Sequence, residues 1–415
     1  MTAASPILKH IVDQHFDEAA FLWEQRDAAV TAINYSLEDL AYLDSRVDAH
    51  IDGLRLAGEY GWKLCEDGLD AKEPGTAFAT SVIAMESGDA ERIDQVIEAG
   101  NQSRAAFRAV VSGLGWMNNK RFKERIPELV RAKSRKYRRL GVAACGIRRI
   151  NPRQYLDQAV ESSDLYLKAR ALRTAGELKR LDLLPAVKRN IQREDHACRF
   201  AAARSALLLG DRSALEALSA FVLTQSSYTL PAMRIALRLV DAQTARNWLK
   251  AQAKVPEQRR QMLIGTGITG EPGYIPMLIK QMSNPEYARA AGESFEMITG
   301  IDLAAEKLEQ EPPQGFKAGP NDDPDKDDVA MDEDEDLNWP DADLVSRWWE
   351  QNAAAFQTGN RYLAGHPITP ETCRQVLKNG NQRQRHAAAL ELALSNPEAP
   401  YFNIKGPGAW QKKRL

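Results

Sequence analysis

Cysteine is scarce. The 415-residue chain holds four, Cys65, Cys145, Cys198 and Cys373, with no CxxC pair among them. That spacing excludes a disulfide-built scaffold and a closed thiolate zinc site, and it is the pattern of reduced thiols in a cytosolic protein. Long apolar runs are missing too. No window approaches 18 uninterrupted apolar residues, and no early stretch joins a basic flank to an apolar run. A membrane span and a signal peptide are therefore not expected, and a cytoplasmic location is. Catalytic signatures are equally thin. There is no GxSxG elbow and no cysteine in a reactive signature. Gly265-Thr266-Gly267 with Gly270 looks like a phosphate loop but lacks the following Lys-Ser or Lys-Thr, so it reads as a structural turn. Of the six histidines, His10 and His15 stand five apart, which points their rings away from one another on a helix, whereas helical metal pairs favour four. No catalytic residue, metal or cofactor is expected.

What is present is helix-forming sequence with an internal rhythm. In Pro6 to Val30, Ile7, Leu8, Ile11, Val12, Phe16, Leu22 and Trp23 recur at helical spacing and make one buried stripe. Ser36 before Glu38 and Asp39 places a capping hydroxyl ahead of an acidic first turn, so a second helix should run through Leu40, Leu43, Val47 and Ile51. From about residue 75 a polar turn followed by an apolar helix recurs roughly every 30 residues, near Gly88, Asn119, Asn151, Leu181, Gly210, Val240 and Gly270. Alanine is abundant because paired helices must approach closely. No copy could bury its apolar face alone, so stacked copies sharing one core are expected, which makes an all-α solenoid. The organisation read from these shifts is an N-terminal helical cap over 1–74, a repeat array over 75–310, an acidic and disordered linker over 311–343, and a small C-terminal helical module with its tail over 344–415.

Several phrases carry a family resemblance. The run Tyr35-Ser36-Leu37-Glu38-Asp39-Leu40 with Asp44 to Leu54, the run Ala290-Ala291-Gly292-Glu293-Ser294-Phe295 leading to Ile298-Thr299-Gly300-Ile301-Asp302-Leu303, and the closing runs Arg361 to Gly365 and Arg383 to Leu394 resemble a bacterial HEAT-like repeat family whose genes often sit beside type VI secretion genes. The likeness covers both ends and the last repeats; the central copies match only as generic HEAT-like pairs. It implies an α-helical repeat protein and, more loosely, a role with a secretion apparatus or its cargo. It implies no activity.

Charge is distributed unevenly. Residues 311–343 hold 13 acidic against 2 basic side chains, net −11, so the remainder of a chain of net −2 carries +9. Residues 118–153 hold 13 basic against 2 acidic, net +11. That stretch could neutralise phosphates, with Tyr137 and Trp116 available for stacking, or simply solvate one face of a helix pair. The acidic segment could also lie on it and screen it. Aromatic residues concentrate near the end of the chain, and at least one of Trp348 and Trp349 should pack back on the last repeat. Pro400 to Lys413 is the candidate exposed docking strand. The reading that follows is a non-catalytic adaptor or scaffold for a protein partner, such as type VI effector cargo or a spike component. Contacts are expected from Arg131, Lys133, Arg135, Lys136, Arg138 and Arg139, with Tyr401, Phe402 and Trp410 as aromatic anchors. The competing reading is a nucleic-acid binder or a DNA glycosylase-like enzyme using the basic 118–153 surface.

Overall fold

The computed structural model describes residues 7–319 and 332–415. Its described residues form 22 α-helices, and the one sheet among them is a two-residue pairing, so the molecule is all-α, as the periodicity predicts. The chain divides into two compact units, residues 1–211 with 396–415, and residues 212–395.

The first unit opens with α1 (Lys9–Ala29), α2 (Leu37–Ala57) and α3 (Glu59–Gly68), packed against one another. Ser36 caps α2 in a full capping box with Asp39, as expected. Next come α4 (Pro74–Ser87), α5 (Ala90–Gly100), α6 (Arg104–Trp116), α7 (Asn119–Arg131), α8 (Arg135–Arg148), α9 (Gln154–Val160), α10 (Leu165–Glu177), α11 (Leu184–Arg189) and α12 (His196–Leu208). The even-numbered helices from α4 to α12 pack in a row, each on the next, and α5, α7, α9 and α11 flank that row. Phe16, Trp23, Leu40, Phe78, Leu114 and Phe122 lie in one continuous core.

The second unit repeats this plan with α13 (Leu215–Leu223), α14 (Thr229–Ala236), α15 (Ala242–Ala253), α16 (Arg259–Thr269), α17 (Ile275–Met282) and α18 (Ala288–Thr299). Here α14, α16 and α18 make the row. Gly265 and Gly267 lie inside α16, not in a turn, and only Gly270 occupies the turn, at φ 70°. The unit is completed by α19 (Ala342–Asn352), β1 (Tyr362–Leu363), β2 (His366–Pro367), α20 (Pro370–Asn379) and α21 (Gln382–Ser395). Trp348 of α19 meets Phe295 of α18 edge-on at 5.6 Å, the return packing expected of that pair. Finally α22 (Gly408–Lys412) lies on α2 in the first unit.

Two boundaries drawn from composition therefore shift. Residues 344–395 pack with the second half of the array, while 396–415 return to the first unit, because a buried pair fixes them there. Arg26 bonds Asp44 at 2.9 Å with both side chains nearly fully buried, and the same two groups bind the Gly406 carbonyl and the Gly408 N–H. The acidic segment is not wholly a linker. Residues 320–331 lie outside the described residues, but Asp332 and Asp334 pair with Arg289 and Arg260, and Glu309 bridges to Pro340. The cations that screen Asp332 to Asp334 are thus Arg260 and Arg289. No helix among the described residues is long and apolar enough to cross a membrane.

Candidate functional site

In the first unit, neighbouring helices of the row run parallel. Phe107, Arg139 and Tyr166 meet near the starts of α6, α8 and α10, whereas Gly115 and Ile147 approach one another near the ends of α6 and α8. Each end of this row carries a cationic centre.

The first centre sits where helices begin. None of α6, α8 and α10 has an acidic residue in its first turn; the Asp164 carboxylate caps α10, so the positive dipole ends of α6 and α8 are the ones left without a negative side chain. The Arg139 guanidinium stacks 3.8 Å from the Phe107 ring and 5.1 Å from that of Tyr166, and burial pushes its pKa down. Arg131 donates to the Tyr155 hydroxyl at 3.0 Å and also lies over that ring. Lys133, Arg135 and Lys136 are exposed, and Lys136 pairs with Glu98. Arg138 is half-buried, with its Nε lacking a hydrogen-bond partner. The basic set named from sequence thus spans the end of α7 and the first turns of α8, with contacts to α5, α6, α9 and α10. Sequence reasoning missed its aromatic companions Phe107, Tyr155 and Tyr166, which come from the neighbouring helices α6, α9 and α10. Tyr166 is 73% exposed, and nothing in its own sequence surroundings, Asp164-Leu165-Tyr166-Leu167, marks it as a companion of Arg139.

The other centre sits where helices end, and of its members only Arg149 belonged to the basic run noticed in the sequence. Glu177, at the end of α10, accepts from Arg170 Nη2 at 2.8 Å and from Arg173 Nε at 2.7 Å, with Arg149 Nη1 at 3.7 Å. Burial works to raise the Glu177 carboxyl, but Arg170, Arg173, Arg149 and Arg204 outweigh it and hold it well below the usual carboxylate range. Burial pushes the Arg170 guanidinium down to about 10. It also takes Lys179 to about 8, with Arg204 adding to the effect. Lys179 Nζ donates to the Leu208 carbonyl at 2.5 Å.

Tyr401 covers this second centre. Arg149 Nε donates to the Tyr401 carbonyl at 2.6 Å, and Arg149 and Arg204 lie 5.4 and 5.7 Å from its ring. Tyr401 is only 6% exposed, so the segment read as an exposed docking strand is turned inward. Phe402 and Trp410 are half-buried and pack on each other at 5.9 Å. Asn403 donates to the Ile147 carbonyl at 2.8 Å, which extends the clamp to the end of α8.

Other reactive groups are held quiet. All four cysteines are buried; burial pushes Cys65, Cys145 and Cys198 up to about 12 and Cys373 to about 11. His15 pairs with His50 of α2, Nδ1 to Nδ1 at 3.2 Å, and not with His10. Among the described residues, no group of three or more His, Cys, Asp or Glu is placed to hold a metal ion.

Comparison with known proteins adds little. No family model matches the chain, and no curated protein does. Among solved structures, the chain is similar to an engineered protein at 13% identity, over 69% of this chain and 94% of that one, with a TM-score of 0.30.

Proposed function

We propose that the protein is a non-catalytic adaptor or scaffold that holds an acidic protein partner on the edge formed by the starts of α6, α8 and α10. One observation carries this reading: Arg139 is fixed between Phe107 and Tyr166, while Tyr166 stays 73% exposed. A guanidinium already held in place forfeits little entropy when a carboxylate arrives, and the exposed ring beside it supplies desolvated area of the kind that dominates interface energetics. The exposed Lys133 and Arg135 add steering charge. The family resemblance suggests type VI effector cargo or a spike component as the partner.

The test is quantitative binding of such a partner to intact protein and to an Arg139→Ser, Tyr166→Ala variant. Loss of about 2 kcal/mol or more, as at interface hot spots, supports the reading; unchanged affinity overturns it. A nucleic-acid reading draws on the same exposed ring, which could stack a base beside a guanidinium. It requires duplex or single-strand affinity that falls steeply with salt.

A further inference from the structure

The centre where α8, α10 and α12 end has more positive charge than its own residues neutralise. We propose that it is a binding site for a small phosphate-type oxyanion. Four guanidinium groups, those of Arg149, Arg170, Arg173 and Arg204, act on the single carboxylate of Glu177. Buried charge is stable only when paired or fully hydrogen-bonded, and a surplus of one sign recruits a counter-charge. Helix carbonyl ends supply some of it, but only within the last turn. Backbone carbonyls serve Lys179, which reaches that of Leu208, Arg149, which reaches that of Gly146, and Arg170, whose Nη2 reaches that of Ala143 at 3.3 Å, but these neutral acceptors leave the net positive charge of the cluster in place.

Two donors confirm the shortfall. Arg170 Nε and Arg204 Nη1 are buried with no hydrogen-bond partner, and a charged donor left unsatisfied is costly. The backbone holds two of the cations in a strained conformation. After α12, α16 and α18 the left-handed position is taken by Gly210, Gly270 and Gly300, but after α8 and α10 it is taken by Arg149 at φ 55° and, two residues beyond Glu177, by Lys179 at φ 56°. A side chain there costs about 1 kcal/mol or more relative to glycine, a strain that Lys72, Arg153 and Lys307 also bear away from this centre.

The chemistry of the donors selects the ligand. Planar guanidinium forks match pairs of oxygens on a tetrahedral anion, and a dianion answers the excess charge better than chloride does. Access is through Arg173, whose side chain is 55% exposed, while Tyr401 roofs the remainder and restricts the site to something small. The free ion and a small phosphomonoester share this chemistry.

Isothermal titration of the full chain at fixed ionic strength decides the matter, with inorganic phosphate in one arm and glycerol 3-phosphate in the other. Saturable one-site binding is expected in at least one arm, and the tighter arm identifies the source. Arg204→Gln should weaken it about ten- to a hundredfold, the loss of one charge-assisted hydrogen bond. Should that variant fail to fold, Arg173→Gln, altered at the exposed side, is read in its place. Absence of saturable binding in both arms overturns the proposal, as does undiminished affinity in a folded variant. Changes at Arg139 and Tyr166 should leave this binding intact, so its failure is separable from that of the partner-binding edge.

Discussion

Glu177 shows how much one carboxylate can organise. It holds Arg170 and Arg173 directly and lowers the cost of burying Arg149 beside them. Glu177→Gln keeps the shape and removes the charge, so it should destabilise the protein by about 3–5 kcal/mol, the cost of breaking a buried pair, read from urea unfolding. Glu296 behaves in the opposite sense. Burial raises its carboxyl to about 7, against the N–H that Leu303 donates. Because the folded pKa lies above the unfolded one, the stability this group contributes is complete below about pH 4.5 and is lost as pH rises through 7. Glu296→Gln should therefore be more stable than the parent at pH 8, by on the order of 3 kcal/mol, and equal to it near pH 4. His50 is depressed by burial and by His15, so its contribution is present above about pH 6.5 and fades as pH falls. Thermal melts from pH 7.5 to 5 should show that slope in the parent and not in His50→Gln. The i,i+4 spacing of Arg173 and Glu177 is visible in the sequence, but the burial of Glu177, Glu296 and His50 and the approach of Arg149, Arg204 and His15 are not, because they depend on which helices pack together.

At the scale of elements, small residues set the spacing of the row. A Cβ on Gly176 would stand 2.8 Å from the Ser205 Cα, and one on Gly267 would stand 3.0 Å from the Ser294 Cα. The same glycine–serine contact thus joins α10 to α12 and α16 to α18. Alanine improves helix propensity by about 1 kcal/mol, yet backbone atoms cannot yield as a flexible side chain can. Gly176→Ala should therefore cost about 1–3 kcal/mol net, measurable as a lowered denaturation midpoint at unchanged m-value. Helices and their junctions were legible in advance. The turns named near Gly88, Asn151, Gly210, Val240 and Gly270 all fall between helices, and Ser36 caps as its sequence implies. Gly265 and Gly267 were misread because a glycine pair looks the same in a loop as in a helix that needs close approach, and only the neighbouring Met233 and Leu249 beside Gly265 and Ser294 beside Gly267 distinguish the two.

For the molecule as a whole, the last 20 residues matter more to the first unit than their position suggests. Arg26 and Asp44 bind Gly406 and Gly408, and Asn403 and Tyr401 bind the end of α8. Removing 396–415 should therefore raise amide exchange in α1, α2 and α8 and leave α14, α16 and α18 at parental protection. Equal loss in both units would show that the tail is not a local clamp. The sequence by itself determined the all-α class, the period near 30 and the concentration of cations over 118–153, because amphipathic spacing, capping and composition are local properties. Tertiary structure alone decided which aromatic rings stand beside Arg131 and Arg139, that the terminal tyrosine faces inward, and that one glutamate gathers the arginines of several helices. Those outcomes depend on which helix ends lie side by side, and a one-dimensional pattern that repeats in every copy does not specify which neighbours any one residue will meet.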